Sequence, residues 1–213
     1  MNRVRMHNIS ISLDGYAAGE PQALETPMGH AGQRLHRWMF DTAFGAAMMG
    51  RAGGSEGVDQ AFAQRFADGI GVEIMGAGKF GPPGWQDDPK WRGWWGETPP
   101  FGTPVLVLTH RPREPLVLDG TTFHFLDAAP ADALEKAREM AGGLDVRIGG
   151  GADVARQFLA QRLIDTAHLV QVPIVLGRGA RLWDGLEGLE DDYDVEAVPS
   201  PSGVVHLTLQ RRG

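Results

Sequence analysis

Between residues 144 and 163 a short β-type run, Asp145 to Ile148, ends in Gly149, Gly150 and Gly151, and an amphipathic helix opens at once with Ala152 and Asp153. Val154, Phe158, Leu159 and Leu163 recur behind the glycines at helical spacing. Glycines at a strand-to-helix turn let a ligand approach the backbone closely. The helix start leaves free N–H groups and a partial positive charge, which suit a phosphate. The pattern is not G-x-G-x-x-G, because position 154 is Val, and no Gly-Lys-Ser/Thr follows, so it is not a P-loop. Read alone, three glycines here serve equally well as a tight turn that needs φ > 0.

The strand–helix alternation extends along the chain. Val4, Met6, Ile9 and Ile11 predict a strand over 4–12, with a bulge where the buried side shifts between Met6 and Ile9. Leu35, Trp38, Met39 and Thr42 share one face of a helix predicted over 34–44. Gly45 to Gly57 reads as a glycine-rich connection. Val58, Phe62 and Phe66 form the stripe of a helix that Gly69 ends. Strands follow at 71–75, 105–109 and 121–126, then a helix starting at Pro130, with Leu134, Ala137 and Met140 inward. Residues 166–176 read as a strand, and 193–198 with 204–209 as a terminal hairpin. This order predicts one α/β domain over 1–213: a mainly parallel mixed sheet, helices on both faces and a C-terminal antiparallel hairpin.

Composition removes several functions. Without cysteine there is no disulfide framework, thiol nucleophile or thiolate metal site, which fits a reducing, cytoplasmic location. A net charge of −7 supplies no basic face for nucleic acid. No apolar stretch approaches a membrane span, and the first residues lack a signal-peptide core. The seven histidines show no metal-binding spacing, so no metal is expected. Gly-x-Ser-x-Gly is absent, which removes the nucleophile elbow of a hydrolase. Four of the six tryptophans lie in the irregular segment 81–104. Most are read as packing or interface, with one left to line a pocket.

The glycine turn, together with three other segments, resembles the dihydrofolate reductase superfamily. Asn8 to Ala18, containing Ser12-Leu13-Asp14-Gly15, and Pro173-Ile174-Val175-Leu176-Gly177-Arg178-Gly179 are similar to the riboflavin-biosynthesis reductase (RibD C-terminal domain) branch. Glu73-Ile74-Met75-Gly76 resembles the strand leading to a second cofactor turn. The resemblance implies a dihydrofolate-reductase-like fold and an NADPH-dependent reductase. Its reaction would resemble reduction of a ribosyl group on an aminopyrimidine, as in 5-amino-6-(5-phosphoribosylamino)uracil reductase. A broad pteridine or dihydrofolate-like reductase, and a non-catalytic nucleotide-binding dimeric protein, stay open beside it. Asp41 is the only carboxylate in the 34–44 helix, which weighs against dihydrofolate itself. No deaminase zinc motif is present.

The resemblance also implies residue roles. Gly149, Gly150, Gly151, Ala152 and Asp153 lie under the cofactor diphosphate, with a cis peptide at Gly149–Gly150. Gly76 belongs to the second cofactor turn, where Ala77 stands in place of the usual cation and Lys79 is the nearest one; it either reaches in or is a solvated loop lysine. Thr109, His110 and Arg111 leave a buried strand at its carboxyl end and suit the cofactor's 2′-phosphate, because hydroxyl and guanidinium both donate to phosphate oxygens. Asp14 is the candidate catalytic carboxylate, facing a small heterocyclic substrate; as a bare dipeptide, Asp14-Gly15 is a turn. A homodimer is expected, because a Trp-rich loop wants cover.

Overall fold

The computed structural model describes residues 2–213. Nine strands form one sheet in the order β10-β11-β8-β1-β7-β3-β4-β6-β5. They are β1 (Val4–Ser12), β3 (Ile70–Gly76), β4 (Val105–Leu108), β5 (Leu116–Leu118), β6 (Thr121–Leu126), β7 (Asp145–Gly150), β8 (Thr166–Val172), β10 (Tyr193–Pro199) and β11 (Val205–Arg211). The run from β8 through β1, β7, β3 and β4 to β6 is parallel. Antiparallel strands close both ends: β11 and β10 beside β8, and β5 beside β6. The β5–β6 hairpin is absent from the sequence reading, since a three-residue strand carries too little alternation to be seen. A second, two-stranded sheet pairs β2 (Tyr16–Ala18) with β9 (Ala180–Arg181), again too short to be legible.

The bulge in β1 lies where the pattern placed it. Pairing with β8 shifts register between Met6 and Ile9, and Asn8 takes a φ of 61°. Asn tolerates this left-handed conformation better than most residues.

Alternation along the strands separates the two faces. Val4, Met6, Val72, Ile74, Val146, Ile148, Ala167 and Leu169 are buried in the main core. Two helices pack there: α5 (Pro130–Met140) through Leu134 and Ala137, and α6 (Ala152–Ala160) through Val154, Ala155, Phe158 and Leu159. The opposite face presents Val170 and Val172 to Leu35, Trp38 and Ala63, and Val105 and Val107 to Phe80, Trp85 and Phe101. The Trp-rich segment therefore covers its own sheet: Trp85 is buried, and Trp91 and Trp95 pack against the same cluster.

The helix expected over 34–44 is broken. A 3-10 turn (Gly32–His36) leads into α1 (Arg37–Phe40), and after Asp41 and Thr42 the chain restarts as α2 (Ala43–Met48), which runs from the expected helix into the stretch from Gly45 read as a connection. Thr42 makes the break. Its fully buried hydroxyl donates to the Met39 carbonyl at 2.6 Å and accepts from Gly45 N at 3.0 Å, ending one helix and capping the next. A side chain at Gly45 would collide with the Met39 carbonyl. Next come α3 (Val58–Ala63) and a 3-10 turn (Gln64–Phe66) that carries Phe66.

Candidate functional site

Parallel strands β8, β1, β7, β3, β4 and β6 all end at one edge, where open α/β sheets take ligands. Most of the predicted site residues lie on the turns along that edge. At β7, Gly150 has a φ of 102°, and the cis peptide joins Gly150 to Gly151, one bond later than expected. A Cβ at Gly149 would collide with the Glu73 carboxylate, whereas one at Gly151 would meet nothing within 4 Å. The turn is thus packed hard on one side and open on the other. Gly151 precedes α6 without a side-chain cap, so the first N–H groups of the helix have no capping side chain. In the next strand a Cβ at Gly76 would lie 2.9 Å from Val154 Cγ2, so this glycine lets β3 approach α6.

Lys79, on the short helix α4 (Ala77–Phe80), is neither solvated nor free. Its Nζ donates to Glu73 Oε1 at 2.9 Å and to the Gly149 carbonyl at 2.8 Å, with a quarter of the side chain exposed. Glu73 and Arg147 are register partners on β3 and β7 and almost fully buried. Arg147 Nε donates to Glu73 Oε2 at 2.7 Å, its Nη1 donates to the Phe66 carbonyl, and its guanidinium lies 3.7 Å from the Phe66 ring centroid. Burial opposes ionisation of Glu73, but Arg147 and Lys79 outweigh it and hold the carboxyl below its usual range. Burial also pushes Lys79 below its usual value, with Glu73 acting the other way. This ion network supports the floor of the glycine turn.

At β4, Thr109 is buried and its hydroxyl accepts from Arg111 N at 3.2 Å. Arg111 points into solvent and pairs with Asp87 at 2.6 Å. His110 is exposed, with Asp127 at 3.0 Å from Nδ1. Exposed pairs of this kind hold their partners weakly, so Arg111 is exchangeable.

Asp14 lies between β1 and β2, and its carboxylate accepts from Leu176 N at 3.0 Å and Gly177 N at 2.7 Å. A hydrogen bond from Ser12, then those two N–H groups, lower its pKa to about 2. Asp14 is ionised throughout the neutral range and anchors the loop after β8. That geometry suits a hydrogen-bond acceptor more than a proton donor.

A cleft of about 550 Å³ opens beside α6. Asp153 and Arg156 of α6, Tyr16 of β2, Arg178 and Arg181 around β9, and Pro83 line it. Arg156 pairs with Asp153 at 2.6 Å and donates to the Arg181 carbonyl at 3.0 Å; Arg181 pairs with Asp184 at 2.9 Å. Of the predicted residues, Asp153 alone reaches the cleft wall. The arginines went unseen in the sequence because they come from a helix and from a loop far along the chain. Burial, then the nearby Lys79 ammonium, lower the pKa of His36 to about 4.

Residues 4–200 match the family model described as the RibD C-terminal domain. No curated protein matches the chain by sequence. Among solved structures, the chain is similar to a protein assigned to riboflavin biosynthesis from Shewanella sp. PV-4, with a TM-score of 0.56, 19% identity and 100% of both chains covered. It is also similar to a pyrimidine reductase-like protein from Corynebacterium diphtheriae, with a TM-score of 0.53 and 13% identity over 100% of this chain and 92% of that one. A third is the diaminohydroxyphosphoribosylaminopyrimidine deaminase/5-amino-6-(5-phosphoribosylamino)uracil reductase from Thermotoga maritima, with a TM-score of 0.52 and 13% identity; 99% of this chain covers 57% of that one. At these identities the likeness carries the fold.

Proposed function

The chain belongs to the RibD C-terminal domain family, the reductase kind of the riboflavin pathway, and from that premise we propose an NADPH-dependent reductase acting on a ribosylated aminopyrimidine or a closely similar heterocycle. One observation carries the reading: a glycine turn open above Gly151, at the start of an uncapped helix that lines a 550 Å³ cleft with Asp153 and Arg156, opposite Arg178 and Arg181. The open backbone and the helix N–H groups fit a diphosphate. Arg156, Arg178 and Arg181 offer forked donors to the same anion. Lys79 acts from below, fixing the Gly149 carbonyl. Thr109, His110 and Arg111 are the proposed holders of a 2′-phosphate.

A bound nicotinamide supplies the hydride that the side chains cannot. Around it, the chain's own work is binding and orientation. Asp14 holds the 174–177 loop through two N–H groups and keeps unused lone pairs for a donor on the substrate. We also propose that the protein works in the cytoplasm as a homodimer; sedimentation velocity checks the assembly.

Calorimetric titration with NADPH and NADH tests the cofactor. Wild type should prefer NADPH, and Arg111→Ala should weaken NADPH by about 1.5–3 kcal/mol, the scale of a charge-assisted bond, while NADH barely changes. Equal loss for both cofactors would remove Arg111 from the 2′-phosphate. Tight NADPH binding without oxidation across a panel of aminopyrimidine ribosides and pteridines would point to a binding protein.

A further inference from the structure

The amino-terminal half of the sheet carries a second polar site that the reductase reading does not use. A cavity of about 130 Å³ lies between β1, β8, β11 and the end of α3. Its polar wall is Arg5, His7, Arg65, Thr166, His168 and Thr208, with Phe62 and Met6 completing it. No carboxylate is among the lining residues. The volume equals that of roughly four waters, which suits one tetrahedral anion and excludes a nucleotide.

A buried hydrogen-bond chain fixes the back of this cavity. Asp59 Oδ1 lies 2.8 Å from His206 Nε2, His206 Nδ1 lies 3.0 Å from His168 Nε2, and His168 Nδ1 lies 2.9 Å from Asn8. The carboxylate can only accept, so His206, kept neutral by burial, carries its proton on Nε2 and accepts on Nδ1. His168 therefore carries its proton on Nε2 and accepts on Nδ1. Asn8 must then present its NH2 to His168. Exchanging the Asn8 amide N and O achieves this and gives a partner to Asn8 Nδ2, otherwise buried without one. Phe62 stacks on both rings at 4.6 and 4.2 Å and holds them in plane.

Two groups are left over. His7 Nδ1 is buried with no partner. Arg65 forms no ion pair among the described residues and only lies 5.2 Å from the Phe62 ring centroid. We propose that this cavity binds a small inorganic oxyanion of the phosphate or sulfate class, held by Arg65, Arg5, the Thr208 hydroxyl and a protonated His7.

Binding is then coupled to a proton. Without an anion, burial, then Arg5, Arg147 and Arg65, lower His7 to about 4, against a hydrogen bond to the Arg65 backbone. The remaining groups nearby do not change that sign. Arg147 is neutralised by Glu73, Arg5 leans on Asp145 at 3.4 Å and on the Asp68 carbonyl, and Asp59 reaches His168 only through His206. An anion beside His7 cancels the cationic field and lifts its pKa, so affinity rises as pH falls, by up to about tenfold per unit for one proton.

Sulfate is the probe, because its own charge is constant between pH 8 and 5.5. The readout is the binding constant from calorimetry, with chloride at equal ionic strength as control. Wild type, and Arg92→Ala as a surface control that breaks only an exposed pair with Glu97, should bind sulfate alike and more tightly at pH 5.5 than at pH 8. Arg65→Ala should bind roughly tenfold more weakly or worse. Crystals grown with selenate should show its anomalous peak between Arg65 and His7. Equal sulfate binding by wild type and Arg65→Ala, or a crystal grown with selenate that lacks that peak, overturns the proposal. Loss of sulfate binding in Arg181→Ala alone would place the anion in the cleft instead and overturn it as well.

Discussion

Glu73 carries a heavy local electrostatic demand. It is fully buried between two cations, one of them, Arg147, only 1% exposed. A buried ion pair adds little net stability, but breaking one strands a charge. Glu73→Gln should therefore cost about 3–5 kcal/mol in urea unfolding. A loss below about 1 kcal/mol would mean that water reaches the guanidinium. Asp14 makes the contrasting case. Asn at this position keeps one acceptor but places an NH2 against the Gly177 N–H, so the 174–177 loop should loosen. Turnover in Asp14→Asn should fall by roughly 10²-fold, the scale of a misplaced substrate, with NADPH affinity retained. Because the carboxyl sits at about 2, the wild-type rate profile should show no titration from it between pH 5 and 9. Unchanged turnover would return Asp14 to a turn residue. Neither role could be read from the chain with certainty: Asp-Gly looks like any turn, and Glu73 and Arg147 meet only across two strands.

Helix α3 rests on neutral histidines, and that sets the molecule's acid limit. His7, lowered to about 4, and His168, lowered to about 2, both chiefly by burial, lie under it, and His206 is lowered by burial as well. Each has a folded pKa below its unfolded value of about 6.5. The unfolded chain therefore binds more protons below that value. Stability is fully present above about pH 6.5 and is lost as pH falls toward 4, by up to about 1.4 kcal/mol per unit for each coupled proton. Thermal midpoints measured from pH 8 to 4.5 should fall steadily, and His168→Phe should flatten the slope. A flat profile would mean that the rings are charged or exposed. The elements were legible where apolar spacing is local, as in α5, α6 and the parallel strands. The 34–44 helix failed because Thr42 matched the apolar face by position, while its hydroxyl ended the helix. Strands β2, β5 and β9 are too short to carry a period and exist through distant partners.

Across the whole molecule, the parallel strands gather turns from six places onto one edge, despite a net charge of −7. The glycine turn was visible in the sequence because strand, turn and helix are contiguous. The cleft arginines were not, since Arg156 and Arg181 converge only after β2 and β9 pair. The central claim is that a phosphate-bearing nicotinamide cofactor lies on this turn. Gly151 tests it most directly: its φ is −49° and a Cβ there meets nothing, so the fold tolerates a side chain that would fill the cradle. NADPH titration of wild type and Gly151→Val, followed by tryptophan fluorescence, is the measurement. The account predicts binding by wild type, and a loss of roughly a hundredfold, about 2.8 kcal/mol, in a variant with unchanged circular dichroism. Equal NADPH affinity in the two proteins would contradict it.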